Sequence, residues 1–219
     1  MVVVAPMDHL GVGPPDASGD SIYNGADAAS GLAGLVEIAE AFVALPEEER
    51  AARPVLVLAV SGHETGLAGA AWYVDHPTVA LDGAVAVFAL DRIARNSPDR
   101  VSAVGHRYSG LGPLLDDVAR AHPDLGLTVV PDAGLDPDSA AAWFRSADAL
   151  PLARRGVPAI LISTGDHEDA RRPSDEHGRT DPGKAARVAR LAFLAVHRVA
   201  ASELEPAWTP TGRRIPAPR

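Results

Sequence analysis

Residues 55–67 read Val55-Leu56-Val57-Leu58-Ala59-Val60-Ser61-Gly62-His63-Glu64-Thr65-Gly66-Leu67, and this stretch decides the fold class. Its aliphatic residues follow one another without a polar break, which suits a strand covered on both faces; a strand with one wet face would alternate. The run stops at Ser61-Gly62, a turn signal, and a helical stretch is expected at Leu67–Asp75. The same succession recurs along the chain. Further strands are expected at Val2–Ala5, Ala84–Leu90, Leu127–Val130 and Ala159–Ile162. Between them, Leu35, Ile38 and Phe42 mark one face of a helix, and helices are plausible at Leu111–Ala121 and Ser139–Phe144. Asp181 is an N-cap with Pro182 at the first helical position. From there Val188, Leu191, Ala192, Ala195 and Val199 form a helical stripe. Strands alternating with helices predict a three-layer α/β/α sandwich with a mostly parallel central sheet. Residues 1–204 are expected to form one domain, and residues 205–219, rich in Pro and Arg, a loosely held tail.

Composition narrows the chemistry. With 219 residues, 47% hydrophobic and 22% charged, the chain can bury a sizeable core unaided. It has no cysteine, which excludes a disulfide framework, a thiolate zinc site and a cysteine nucleophile. A net charge of −9 argues against nucleic acid or an anionic membrane as partner. No apolar run approaches the ~20 residues that span a bilayer. No basic-then-apolar leader opens the sequence, so the chain as written is expected to be cytoplasmic.

Ligands in parallel α/β folds gather at the carboxyl ends of strands, so those positions are where function is read. Val2–Ala5 is followed by Pro6-Met7-Asp8-His9; Val55–Val60 by Ser61-Gly62-His63-Glu64; Ala84–Leu90 by Asp91-Arg92. After Ala159–Ile162 come Ser163-Thr164-Gly165-Asp166-His167-Glu168-Asp169, then Ala170-Arg171-Arg172-Pro173-Ser174-Asp175. Acidic residues at four strand ends point to a site. Ser61 and Ser109 lack the strained turn of a nucleophile elbow. Gly11 and Gly13 are followed by Pro14 and Pro15, which excludes a phosphate loop.

At these residues the chain resembles the dinuclear zinc aminopeptidases, the group that includes bacterial leucyl aminopeptidases and, by fold, glutaminyl cyclases. Ile22-Tyr23-Asn24-Gly25-Ala26-Asp27 with Ala29-Ser30-Gly31 resembles the family's bridging-aspartate loop. Gly62-His63-Glu64-Thr65-Gly66-Leu67 resembles its G-E-E-x-G-L segment, and Leu90-Asp91-Arg92-Ile93 its third ligand strand. Gly156-Val157-Pro158-Ala159 and Pro173-Ser174-Asp175 continue the match in order. The resemblance implies two zinc ions sharing one aspartate, each with a further carboxylate and a histidine, and a glutamate base acting on a bridging water. Carried over, the metal carboxylates fall on Asp27, Glu64 and Asp91. The two histidine ligands fall on Pro6 and Arg171, and the general base falls on His63. A pocket motif of the form S-D-H appears as Ala147-Asp148-Ala149, and the bridging loop is one residue short.

These departures matter because zinc prefers imidazole or thiolate and normally needs three protein ligands. Proline has no side-chain donor and arginine cannot ligate. No cofactor is therefore expected, with zinc or another divalent cation only if the site still works. Asp27, Glu64 and Asp91 would suit a hard cation; the alternative is three inherited acids paired with Arg171 or backbone donors. His9, His106, His167 and His177 read either as a relocated metal site or as hydrogen-bonded loop histidines. The expected function is a zinc-aminopeptidase-like protein with degenerate metal positions, without peptidase activity and with a binding or scaffold role. Its expected partner is a peptide or amino-acid-like small molecule. The alternatives are an active metal-dependent hydrolase with an altered shell, or different chemistry in the same pocket. Relatives are often exported and carry further β structure before this point.

Overall fold

The computed structural model describes residues 1–215. In chain order the elements are β1 (Val2–Pro6), β2 (Gly11–Val12), β3 (Ile22–Tyr23), α1 (Ala26–Ala44), β4 (Leu56–Val60), α2 (Ala68–Asp75) and β5 (Val87–Leu90). They continue with β6 (Arg100–Val104), α3 (Leu111–Ala121), β7 (Thr128–Pro131), α4 (Pro137–Arg145), α5 (Leu150–Arg154), β8 (Ala159–Ser163) and α6 (Pro182–Ala200). The main sheet runs β4-β1-β5-β8-β6-β7, and β2 and β3 form a separate small hairpin. Every pairing in the main sheet is parallel except β6 with β8. The sandwich expected from the alternation of strands and helices is the one observed.

Two apolar layers sandwich the sheet. Leu35 and Ile38 of α1, Leu111 and Leu115 of α3, and Val188, Leu191 and Val199 of α6 pack on one face. Leu67 and Val74 at α2, Phe144 of α4 and Leu150 and Leu152 of α5 pack on the other. β1, β5 and β8 are buried throughout, the condition that made their sequences continuous apolar runs. β6 was not expected: Arg100-Val101-Ser102-Ala103-Val104 is short and interrupted by a polar residue, and it enters antiparallel to β8. α5 was also unforeseen, being a single short turn of helix with a proline in it.

The N-cap of α6 is as read: the Asp181 carboxylate accepts from the Lys184 amide at 2.9 Å. The tail is a correction. Trp208 pairs with Ser109 in a β-bridge and its indole N–H donates to the Gly156 carbonyl at 2.8 Å. Its ring also meets Phe144 edge-on at 6.5 Å. An indole with an apolar face and one polar handle suits such a seam, so the stretch up to Ile215 is anchored. The expectation for residues 216–219 lies outside the described residues. Among the described residues no helix is long and apolar enough to cross a membrane.

Candidate functional site

The carboxyl ends of β1, β4, β5 and β8 meet at one edge of the sheet. Pro6, Asp8, His9, His63, Glu64, Asp91, Arg92, Ala170, Arg171 and Asp175 line a narrow cleft there. Its open space is only about 10 Å³, on the order of one water molecule. The side chains themselves fill it.

Glu64 is the centre of the filling. Its Oε1 lies 3.4 Å from Nδ1 of His9, and its Oε2 accepts from Nε of Arg171 at 3.3 Å. The His9 bond, aided by the charge of Arg171 and opposed by burial, holds the Glu64 carboxyl down to about 2. Both oxygens of this carboxylate are thus engaged by basic groups. His9 is fixed in turn by close packing: a side chain on Gly25 would meet its ring at 2.4 Å, so glycine is required there. Arg171 reaches in from a backbone with φ of 58°, a conformation few non-glycine residues adopt.

The other carboxylates have separate partners. Asp91 Oδ2 accepts from Nε of Arg92 at 3.0 Å, and Arg92 also pairs with Asp166. Asp8 accepts from the Gly62 amide at 2.6 Å, tying the β1 and β4 ends together. Asp27, in the first turn of α1, turns away from the cleft. Its Oδ1 accepts from the Ala94 amide at 2.8 Å and its Oδ2 faces Nε2 of His167 at 3.2 Å. Burial pushes its carboxyl up against those partners. Ser30 braces the same corner by accepting from the Ile93 amide at 2.8 Å. The expected convergence of Asp27, Glu64 and Asp91 is therefore corrected: Glu64 and Asp91 face the cleft, and Asp27 sits outside it. The physical reason is that the Ala94 amide at the β5 end and the His167 ring receive its two oxygens.

His63 has a partner the sequence did not assign. Its Nδ1 lies 2.7 Å from Oδ2 of Asp148, a residue 2% exposed between α4 and α5. Burial disfavours the charged imidazole, but the hydrogen bond and charge of Asp148 outweigh it, so the His63 pKa is raised. In the sequence Asp148 is marked only as the middle of Ala147-Asp148-Ala149. His106 pairs with Asp116 at 2.8 Å, apart from the cleft.

Several buried atoms here make no well-aligned hydrogen bond: Nε2 of His9, Oδ1 of Asp148, Nδ1 of His167, the facing Asp27 Oδ2 and His167 Nε2, and Nη1 of Arg95, which lies 3.6 Å from Asp175. Such atoms are uncommon in folded proteins, and these border the strand ends. The donor set does not fit a dinuclear zinc centre. Pro6 offers no donor, Arg171 places a fixed positive charge on Glu64, and Asp91 and Asp27 are bonded elsewhere. Among the described residues no group of three or more His, Asp or Glu side chains is arranged to hold a metal ion.

Beyond the cleft, and sharing His63, Glu64 and Arg171 with it, opens a pocket of about 760 Å³ between α2 and the α4–α5 region.

The model of one peptidase family, M28, matches residues 1–196. No curated protein sequence matches the chain. Among solved structures, the LapA aminopeptidase of Legionella pneumophila is similar, with a TM-score of 0.72 at 18% identity over 93% of this chain and 52% of that one. A zinc aminopeptidase from Bacillus subtilis gives 0.66 at 16% identity, covering 93% and 47%. The glutaminyl cyclase of Porphyromonas gingivalis gives 0.65 at 17% identity, covering 90% and 72%. At these identities the likeness is one of fold. The chain spans about half the length of the two aminopeptidases.

Proposed function

The chain belongs to peptidase family M28, and from that premise we propose that it binds a peptide or amino-acid-like small molecule in the pocket that adjoins the filled cleft, without metal-dependent peptide hydrolysis. One observation carries this reading: Arg171 and His9 occupy both oxygens of Glu64. A guanidinium stays protonated in proteins and presents donors only. It supplies at Glu64 the positive charge that a dication supplies in a metallopeptidase. Pro6, which the resemblance puts at the other histidine position, also lines the cleft and has no side-chain donor. The test pairs zinc titration with hydrolysis of leucyl amide in added zinc. No zinc uptake at micromolar metal and no chelator-sensitive turnover are expected. Stoichiometric zinc with turnover that a chelator abolishes would reverse the reading.

A second reading is favoured by the 2.7 Å contact between His63 and Asp148. A histidine held through Nδ1 by a buried carboxylate is oriented as a base, and His63 faces both cleft and pocket. Turnover that survives chelator but is lost in His63→Gln would establish different chemistry on the same fold.

A further inference from the structure

The two edges of the main sheet differ in how they meet solvent. β7 ends in Pro131 and has no exposed large apolar side chain. β4, at the other edge, reads Leu56-Val57-Leu58-Ala59-Val60 and holds neither charge nor proline, the devices that keep an edge strand from pairing. The Leu56 amide donates to the Met1 carbonyl at 2.9 Å, and the Val60 carbonyl accepts from the Met7 amide at 2.7 Å. Backbone groups alternate in direction along a strand, so Leu56, Leu58 and Val60 face β1. The N–H and C=O groups of Val57 and Ala59 therefore point outward from the sheet.

The side chains around this edge are apolar as well. Leu56 and Leu58 pack into the layer of α2, and Val55 into that of α1. Alternation then puts Val57 and Ala59 on the α1 face, where both are exposed. α1 covers this face above β1 and β4. Its Ala33, Gly34, Glu37 and Ala41 turn toward α6. Leu32, Val36, Ala39 and Val43 recur at helical spacing on the opposite flank, beside the β4 edge. Val36 is 48% exposed and Val43 80%. A chain of net charge −9 thus carries an uncharged strip running from the helix down to the open strand.

We propose that this edge binds a second copy of the chain, β4 pairing antiparallel with its twin about a two-fold axis at Leu58. The two six-stranded sheets become one. The strip is its own complement. With Leu58 on the axis, Val57 of each copy stands opposite Ala59 of the other, a large side chain against a small one. That is the kind of pair that exchanges both backbone hydrogen bonds. The same axis leaves both α1 helices on one face, antiparallel and about 14 Å apart when each is centred over β1. Their Leu32, Val36 and Val43 flanks then turn toward each other above the seam. The nineteen residues of α1 make a strip about 28 Å long. Helix and strand layers together make it about 20 Å deep. Joining two such strips buries roughly 1,000 Å² in total, the size at which specific interfaces begin. Because the paired strands run in opposite directions, the two clefts open at opposite ends of the joined sheet. The inference therefore does not depend on what the cleft and its pocket bind.

The experiment is sedimentation of the full chain from ~1 to ~100 μM, a range that brackets ordinary affinities, with amide hydrogen exchange read residue by residue. A species of twice the chain mass is expected, with the Val57 and Ala59 amides protected as well as those of Leu56 and Leu58. V57K/A59K sets lysine opposite lysine, and V57E/A59E glutamate opposite glutamate. Each should raise the dissociation constant at least about tenfold, and mixing the two variants should restore a one-to-one dimer. If either pair melts early, V36E tests the helix layer without touching the sheet and should weaken the dimer by a similar factor. A monomer throughout the range overturns the proposal, and so does a dimer that persists in both charged variants or leaves the Val57 and Ala59 amides unprotected. Protection of those amides in a monomer only when acetyl-Thr-Val-Thr-Val-Thr amide is added would make the edge a peptide site and likewise overturn the pairing of copies.

Discussion

Replacing Glu64 by glutamine separates a protein-filled cleft from an emptied metal centre by the sign of its effect. The fall of the carboxyl from 4.5 to about 2 corresponds to about 3 kcal/mol at ~1.4 kcal/mol per pH unit. Solvent reaches part of the group and half-exposed Arg171, so roughly half of that survives screening, or about 1–2 kcal/mol. Glu64→Gln should therefore destabilise the fold by about 1–2 kcal/mol at pH 7 in metal-free buffer. Because the folded value lies below the ordinary one, this contribution is complete above pH 4.5. It disappears as the pH falls toward 2, where wild type and variant should converge. Urea denaturation of both proteins across that range, with unchanged m-values, gives the difference directly. A site built for dications would behave oppositely. Without metal, deleting one of several crowded carboxylates relieves repulsion, and the variant would be the more stable protein. A gain in stability, or none, refutes the argument that Arg171 and His9 neutralise this acid.

Lys184, the single lysine of the chain, is fully buried; its amine donates to the Ser97 carbonyl at 2.6 Å and to that of Arg95. Burial lowers its pKa from 10.5 to about 8, so the unfolded chain binds the extra proton between these values. Stability should rise by about 2–3 kcal/mol as pH climbs from 8 to 10.5, and Lys184→Met should lose that slope in parallel denaturation curves. Gly31 lets α1 cross β5 closely: a Cβ there would lie 2.6 Å from the Leu90 carbonyl oxygen. Gly31→Ala should cost about 1–3 kcal/mol in the same assay, and a neutral result would mean that the helix can shift away from the site without penalty.

How much of this was legible depended on where each signal resides. Val2–Pro6 and Ala159–Ser163 announce themselves because the central strands of a covered sheet need apolar side chains at nearly every position; Leu56–Val60 reads the same way but lies at the sheet edge with Val57 and Ala59 exposed, so the expectation that it is covered on both faces is corrected. β6 carries Ser102 half-buried near the sheet margin, and its antiparallel entry obeys no local pattern. His63, Glu64 and Asp91 could be placed at one edge of the sheet because they follow apolar strands directly, and they line the cleft there. The partner of His63 could not, since Asp148 lies 85 residues away and only the packing of α5 on the sheet brings it near. Asp27 was expected among the metal carboxylates of the cleft, and its carboxylate instead meets the Ala94 amide and His167, contacts that lie far away in sequence.

The seam made by Trp208 bears on how the protein can be cut. A piece ending at residue 204, the boundary that composition suggests, would strip the indole from Phe144 and leave the Gly156 carbonyl without its N–H. It would also remove the Thr209 amide from the Tyr108 carbonyl at 2.8 Å. Phe144 is fully buried and would face water on one side. Trp208 and Thr209 thus help to cover the interior beside Phe144. Without them the seam along α4 would stand open.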